Sequence, residues 1–300
     1  MEYGEFKRAL QEQLQERFGE RAHVEIQTFL KNNSKRQDGI MVFQEGSSAT
    51  PAVYLDKYYD EFQSGASLGA IVREISDFYE DNHEAEFDLS FFKEFAKVRE
   101  RIVFQLVNFE RNAELFQEVP YVRTLDLAMV FLCRVEHPSY GNVNIMIRDA
   151  HLKLWGTDVV ALYERAMANT PRLLPCELKS MGELLSEIGQ DDLADISKEL
   201  IISEENDPGM YVLSNYLHCH GAACMMYRGI LSKFAMACGS DFYIIPSSVH
   251  EVILIPVKKM LSHSAMNEVV GQVNRTQVAS EEVLADTVYF YSRKLKKILF

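Results

Sequence analysis

The residues of this chain that are best suited to chemistry lie between two apolar runs in its C-terminal third. The stretch from Pro246 to Glu251 reads PSSVHE and brings two hydroxyls, an imidazole and a carboxylate close together. A serine nucleophile needs a base within hydrogen-bond reach and a third group that orients the base. The residue types therefore suggest a hydrolase-like site built around Ser248, His250 and Glu251.

The same stretch also has a purely structural interpretation. Pro246 cannot donate to a β-ladder, so the first strand should end there or lie at an edge. Ser247 and Ser248 can cap backbone groups of a turn, while His250 pairs with Glu251 or with a carbonyl. Because residues so close in sequence seldom reach triad geometry by themselves, the hairpin interpretation is favoured. The stretch is still the first place to look for a site.

His218 and His220 form a second candidate, a possible metal site. If they lie at a strand end, residues two apart share one face, and both imidazoles could meet one zinc ion. A zinc site needs three or four convergent ligands, and a third would have to come from Cys224, His250 or Glu251. Since only two ligands are evident, an exposed histidine-rich loop is favoured, and no cofactor is predicted.

Gly221 and Cys224 raise two further possibilities. Gly221 precedes a predicted helix, where free backbone N–H groups can hold an anion. Neither GxGxxG nor GxxxxGK[ST] is present, so an ordinary glycine at a junction is the simpler interpretation. Cys224 could pair with His250 as thiolate and imidazole, and in the hydrolase interpretation it is an alternative nucleophile. Its apolar neighbours Met225 and Met226 favour a buried thiol instead.

Composition limits the partners. The chain of 300 residues has a net charge of −13, which repels phosphate backbones and anionic lipid, so neither nucleic acid nor a membrane surface is expected as main partner. Five cysteines, an odd number, suit reduced thiols better than a disulfide framework. The polar N-terminus shows no secretory signal, and no apolar run has the length of a membrane helix. A cytoplasmic protein is expected.

The elements that must position these residues are helices and hairpins in mixed order. Apolar residues four apart predict a first helix, with a stripe of Phe6, Leu10, Leu14 and Phe18. Asp38-Gly39 predicts a hairpin turn, and Ser67 predicts the cap of a later helix.

The C-terminal part predicts a β-α-β-β unit followed by helices. Its first helix should run from Gly221 to Gly239, and a later one should begin at Ser280. Without strict βαβ alternation, the fold class is α+β, with a mixed or antiparallel sheet. An acidic connector suggests an N-terminal part over residues 1–203 and a C-terminal part over 204–300, or one continuous domain.

The chain resembles a family of uncharacterised proteins, described only as a domain of unknown function, from anaerobic Gram-positive bacteria that include gut Clostridia. The resemblance covers roughly residues 53–291, is carried by MYVLSN, GAACMMY, YIIPSSVHEVILIP and VNRTQVASEEVLADTVYFYSR, and is most specific at Pro-Ser-Ser-x-His-Glu. It implies a cytoplasmic protein without an assigned reaction. The recurring polar residues of that family would fall on Asn215, Gly221, Ser247, Ser248, His250, Glu251 and Asn274.

Two classes of function follow, with a third as a weaker option. The leading hypothesis is a non-catalytic binding or regulatory protein for a protein or a small molecule, with Asn215, Gly221, Ser247 and Asn274 at the ligand. The alternative is the hydrolase-like enzyme described above. The weaker option is a zinc-binding module through His218 and His220. The oligomeric state stays open.

Overall fold

The computed structural model describes eight stretches of the chain, which are residues 1–44, 50–81, 90–137, 141–183, 209–246, 248–257, 263–276 and 278–300. Contacts divide the chain into two compact units. The first contains Met1–Lys31, Lys35–Val98 and Val135–Asn144, and the second contains Asn32–Ser34, Arg99–Arg134 and Ile145–Phe300. The predicted boundary at 203/204 lies outside the described residues and stays a prediction.

The first unit packs helices on a small antiparallel sheet. Its elements are α1 (Tyr3–Phe18), β1 (Ala22–Leu30), β2 (Arg36–Gln44), β3 (Val53–Tyr54), α2 (Leu55–Gln63), α3 (Leu68–Asp81) and α4 (Phe95–Val98). The predicted stripe of α1 is buried as expected and packs with apolar side chains of β1, β2 and α3. The predicted cap of α3 is also present, since the Ser67 hydroxyl accepts the N–H of Ala70 at 3.2 Å.

The hairpin of β1 and β2 turns at a different place from the one predicted. Gly39 pairs with Gln27 inside the strands, so the prediction of a turn at Asp38-Gly39 was wrong. Asn33 and Ser34 supply the turn instead, with φ of 57° and 58°. Gly39 has another role, because a Cβ there would lie 2.9 Å from the ring of Phe29 and would displace that ring.

A four-stranded antiparallel sheet follows in the chain. Its strands are β4 (Ile102–Asn108), β5 (Tyr121–Thr124), β6 (Leu127–His137) and β7 (Gly141–Met146), in the order β4-β6-β5 with β7 also paired to β6. Two helices follow, α5 (Asp149–Trp155) and α6 (Val159–Leu173). The Asp158 side chain caps α6 by accepting the N–H of Ala161 at 2.9 Å.

A six-stranded sheet carries the candidate site. Its strands are β8 (Cys176–Ser180), β9 (Tyr211–Asn215), β10 (Phe242–Ile245), β11 (Val252–Pro256), β12 (Tyr289–Ser292) and β13 (Lys297–Leu299), in the order β13-β12-β10-β11-β9-β8. Every neighbouring pair is antiparallel. The helices α7 (Ile230–Cys238) and α8 (His263–Thr276) accompany it. The α+β class and the predicted β-α-β-β unit, which is β9, α7, β10 and β11, are therefore confirmed.

Two predicted helices differ in detail. Gly221–Met226 forms only a short 3-10 segment, and α7 starts after Gly229, whose left-handed φ of 82° interrupts the chain. Residues 280–282 form a turn where a helix was predicted. The side-chain amides of Asn32 and Asn33 donate to the carbonyls of this turn, which removes the acceptors that a helix would use. Among the described residues, no helix has the length and apolar composition for crossing a membrane.

One buried hydroxyl joins α6 to β4 and offers a test of the fold. Thr170 accepts the N–H of Phe104 at 3.1 Å and donates to the carbonyl of Ala166 at 2.6 Å. We expect Thr170→Val to leave the N–H of Phe104 buried without a partner and to reduce the free energy of unfolding by about 1–3 kcal/mol. Urea unfolding followed by the fluorescence of Trp155, the single tryptophan, measures this. Thr124→Val on β5 is the control, and an equal loss in both variants would contradict the assignment.

Candidate functional site

The loop from Tyr216 to His220, called the histidine loop below, is shaped by one asparagine. Asn215 is the last residue of β9, and its Nδ2 donates to the carbonyl of Cys219 at 2.7 Å. Its Oδ1 accepts the N–H groups of Leu217 at 3.0 Å and Cys219 at 3.4 Å. The structure therefore places Asn215 as the residue that folds this loop back on the strand end.

His218 and His220 lie in the histidine loop and not at a strand end, so that premise of the metal prediction was wrong. Both have left-handed backbones, with φ of 49° and 54°. His218 is exposed, and its Nε2 lies 3.4 Å from Oε2 of Glu177. Within the described stretches, no group of three or more His, Cys, Asp or Glu side chains could hold a metal ion.

Gly221 is packed so closely that no side chain fits. A Cβ at this position would lie 2.1 Å from Oγ of Ser214, 2.5 Å from the carbonyl oxygen of His250 and 2.6 Å from the nitrogen of Asn215. The next N–H, of Ala222, donates to the carbonyl of Val249 at 3.2 Å. The backbone group that the sequence offered to an anion is thus engaged by the 248–251 turn.

The 248–251 turn uses its hydroxyl to hold its own backbone. Oγ of Ser248 accepts the N–H of His250 at 3.0 Å, which is a serine turn. The N–H of Val249 donates to the carbonyl of Glu282 at 2.8 Å, and Oγ of Ser214 donates to the carbonyl of His250 at 2.8 Å. Ser247 lies outside the described residues. Ser248 and His250 are therefore neighbours through the backbone N–H rather than through the imidazole.

The imidazole of His250 is held between the histidine loop and an acidic side chain. Its Nδ1 accepts the N–H of His220 at 3.2 Å, which places the proton of the neutral ring on Nε2. That Nε2 lies 3.6 Å from Oε1 of Glu282. Burial raises the pKa of Glu251, while the charges of His250 and His218 act in the opposite direction. The structure thus places two acids, Glu251 and Glu282, near His250, and Glu282 was missed from the sequence.

His220 stacks on His250 with ring centroids 5.5 Å apart and ring planes inclined by 23°. Its Nδ1 is sealed from solvent and has no hydrogen-bond partner in the described part of the chain. Burial, followed by repulsion from His250, lowers the pKa of His220 to about 4. His220 is therefore neutral at neutral pH, and it combines a buried polar atom with a strained backbone, which is uncommon outside functional or tightly packed positions.

Cys224 and Asn274 fall at structural positions. Sγ of Cys224 donates to the carbonyl of Ser214 at 3.1 Å, and burial raises the pKa of this thiol to about 12. Cys224 is accordingly a thiol, without the depressed pKa that a reactive cysteine needs. Nδ2 of Asn274 donates to the carbonyl of Ala285 at 2.9 Å and to Oδ1 of Asp286 at 2.8 Å, which ties α8 to the segment beside Glu282.

A set of asparagine amides fixes the segment 280–285, and with it Glu282. Asn32 donates to the carbonyl of Glu281, Asn33 to those of Ser280 and Val283, Asn108 to that of Leu284, and Asn274 to that of Ala285. Asn32 and Asn33 are also held by Asn112, whose Nδ2 donates to both of their side-chain oxygens. These partners are as far as 250 positions apart, so no local pattern could have revealed them.

These features define an α+β protein in which a histidine-bearing loop and a serine turn close over one end of an antiparallel sheet. The chain belongs to the family described as "Family of unknown function (DUF5688)", which matches residues 3–293. No curated protein and no solved structure matches it.

The close packing at Gly221 yields a sharp prediction. Gly221→Ala would force the backbone of β9 away from the 248–251 turn, because two of the three blocking atoms belong to the main chain. We expect a loss of at least about 3 kcal/mol in the free energy of unfolding, measured through Trp155 fluorescence. Gly182→Ala, where the added Cβ meets nothing within 4 Å, is the matched control. A wild-type stability for Gly221→Ala would show that the turn and the strand do not meet as described.

The pKa of His220 predicts how stability changes with pH. The pKa is lower in the folded chain than in the unfolded one, falling from 6.5 to about 4, so the unfolded chain binds more protons in this window. Stability should therefore fall on acidification from pH 6.5 to pH 4. We expect His220→Asn, which tolerates the left-handed backbone, to lessen this fall by up to about 3 kcal/mol.

Urea unfolding at a series of pH values between 4 and 7.5 measures this effect. His218→Asn is the matched control, because His218 has the same left-handed backbone but is exposed. An unchanged pH dependence in His220→Asn, or an equal change in His218→Asn, would contradict the assignment to His220.

Proposed function

We propose that this protein is a non-catalytic binding or regulatory protein that recognises a small molecule or a protein through the histidine loop and the 248–251 turn. The observation that carries the proposal is that the polar groups of His250 are engaged in structural hydrogen bonds. Its Nδ1 accepts the N–H of His220, and its own N–H donates to Ser248. The side chains with catalytic potential hold the two segments together instead of activating one another.

The other candidate nucleophile is engaged in the same way. Cys224 donates its S–H to a backbone carbonyl, and its raised pKa keeps it protonated at neutral pH. His220, in contrast, has a sealed ring nitrogen without a partner in the described part of the chain, and burial raises the pKa of Glu251 near His250 and His218. Pre-organised polar groups of this kind are suited to recognition, because little ordering is needed when a ligand binds.

We place the protein in the cytoplasm of an anaerobic Gram-positive bacterium, with Pro246 to Glu251 as the most specific stretch of its family. Its net charge of −13 supports a partner that is neither nucleic acid nor an anionic membrane. Asn215, Gly221 and Asn274 serve this site by positioning it.

A hydrolase-like enzyme is the second candidate, favoured by one observation. Burial raises the pKa of Glu251 beside His250, and carboxyl groups with raised pKa are frequent at active sites. In this candidate, Ser248 would attack the substrate and His250 would take its proton. The Ser248 hydroxyl would first have to replace the N–H of His220 at Nδ1 of His250, the single acceptor of the neutral ring.

Native mass spectrometry of the untagged protein, purified without chelators, tests the proposal. We expect a retained small molecule or partner on the wild type, and at least about tenfold less occupancy on His250→Ala, because this change removes the acceptor that holds the histidine loop. His218→Ala, which alters an exposed ring at Glu177, should keep the bound mass.

Two outcomes would contradict the proposal. A bare chain in the wild type and in both variants would remove the support for a retained ligand. Hydrolysis of nitrophenyl esters or phosphate esters by the wild type that disappears in Ser248→Ala would move the enzyme to first place.

A further inference from the structure

Strand β6 carries an arginine at a position where a strand of this kind usually carries an apolar residue. Arg134 is only 8% exposed. It follows Cys133, which pairs with Ile102, so Arg134 points to the opposite face of the sheet from Cys133 and shares the face of Leu132. Leu132 packs in a cluster with Val103, Leu174 and Leu217. Arg134 therefore lies on the sheet face that the histidine loop, through Leu217, covers.

The guanidinium of Arg134 has no counter-charge in the part of the chain that the structure describes. None of the described carboxylates forms an ion pair with it, and none of the described groups accepts a hydrogen bond from it. Arginine cannot shed its proton to escape burial. Burying the guanidinium without a counter-ion therefore costs desolvation free energy, and a bound anion would offset this cost.

The positive charge of Arg134 acts on Cys219 of the histidine loop, but Cys219 carries no negative charge that would neutralise it. The positive charge acts to lower the pKa of this thiol, yet burial raises it by more, so Cys219 is a neutral thiol at neutral pH. The neighbour of the arginine is thus a weak hydrogen-bond donor and not a counter-ion.

The head of Arg134 is still reachable. Four side-chain atoms of the described chain are sealed from solvent without a partner, and no nitrogen of Arg134 is among them. Part of the small area of Arg134 that stays exposed therefore lies at the guanidinium, while the rest of the side chain is buried, which is how long cations usually lie. The planar fork of guanidinium donors matches the geometry of a carboxylate or a phosphate.

We propose that Arg134, beneath the histidine loop, binds the oxyanion of a small ligand, a carboxylate or a phosphate, whose apolar part lies against Leu132 and Leu217. This assignment rests on the proposed function, since it names the chemical class of the ligand for the histidine-loop site. In this assignment the histidine loop covers the anion that is bound to Arg134.

Thermal unfolding of the full chain in two anions tests the assignment. Sodium phosphate or sodium acetate is added at constant ionic strength against sodium chloride, and unfolding is followed through Trp155. We expect at least one of the two anions to raise the unfolding midpoint of the wild type by about 2–5 °C at saturation. Arg134→Met should lose this rise, and in chloride alone it should be no less stable than the wild type, because an unpaired buried charge is removed.

Two further variants keep the test decisive. Arg134→Lys preserves the charge without the fork, and we expect it to need roughly tenfold more anion for half of the rise. Arg123→Met, an exposed arginine on β5 with the same change of net charge, should keep the full rise. A rise with phosphate alone supports a phosphate-bearing ligand, and a rise with acetate alone supports a carboxylate.

The assignment is overturned if neither anion raises the midpoint, or if Arg134→Met shows the same rise as the wild type, since the effect is then one of bulk salt. Its failure is distinguishable from that of the proposed function. A bound mass in native mass spectrometry that survives Arg134→Met, but not His250→Ala, would remove the anion site and leave the binding protein in place.

Discussion

The site depends on the absence of a side chain at Gly221. Because there is no Cβ, the end of β9, the start of the 3-10 segment and the carbonyl of His250 approach to distances that any other residue would forbid. The hydroxyl of Ser214 and the N–H of Ala222 then close hydrogen bonds to the 248–251 turn. Two loops that are about thirty residues apart become one surface, with the imidazole of His250 between them.

The second constraint is the satisfaction of buried backbone groups by amide side chains. Asn215 supplies one acceptor and one donor to the histidine loop, and several other asparagines supply donors to the segment that carries Glu282. A loop that packs inside a protein needs such partners, because an unpaired buried carbonyl or N–H is costly. The asparagines therefore determine where the acid Glu282 and the imidazole of His250 meet.

Two buried polar groups near the histidine loop lack partners in the described part of the chain, and this distinguishes the site from ordinary packing. Among the described residues, the sealed nitrogen of His220 has no hydrogen-bond partner and the charge of Arg134 has no acid beside it. Natural cores rarely keep such groups without a use. Both lie next to the same loop, one within it and one beneath it. The imbalance is what a binding protein would show before its ligand supplies the missing partner.

The sequence by itself determined the local elements and the class of fold. Apolar spacing placed α1, Ser67 the start of α3 and Gly239 the end of α7, because periodicity, caps and left-handed glycines act over a few residues. Only the tertiary structure decided the turn at Asn33, the loss of a helix at Ser280 and the pairing of His250 with His220 and Glu282. Those outcomes depend on hydrogen bonds between distant segments, and no local pattern encodes which distant group will arrive.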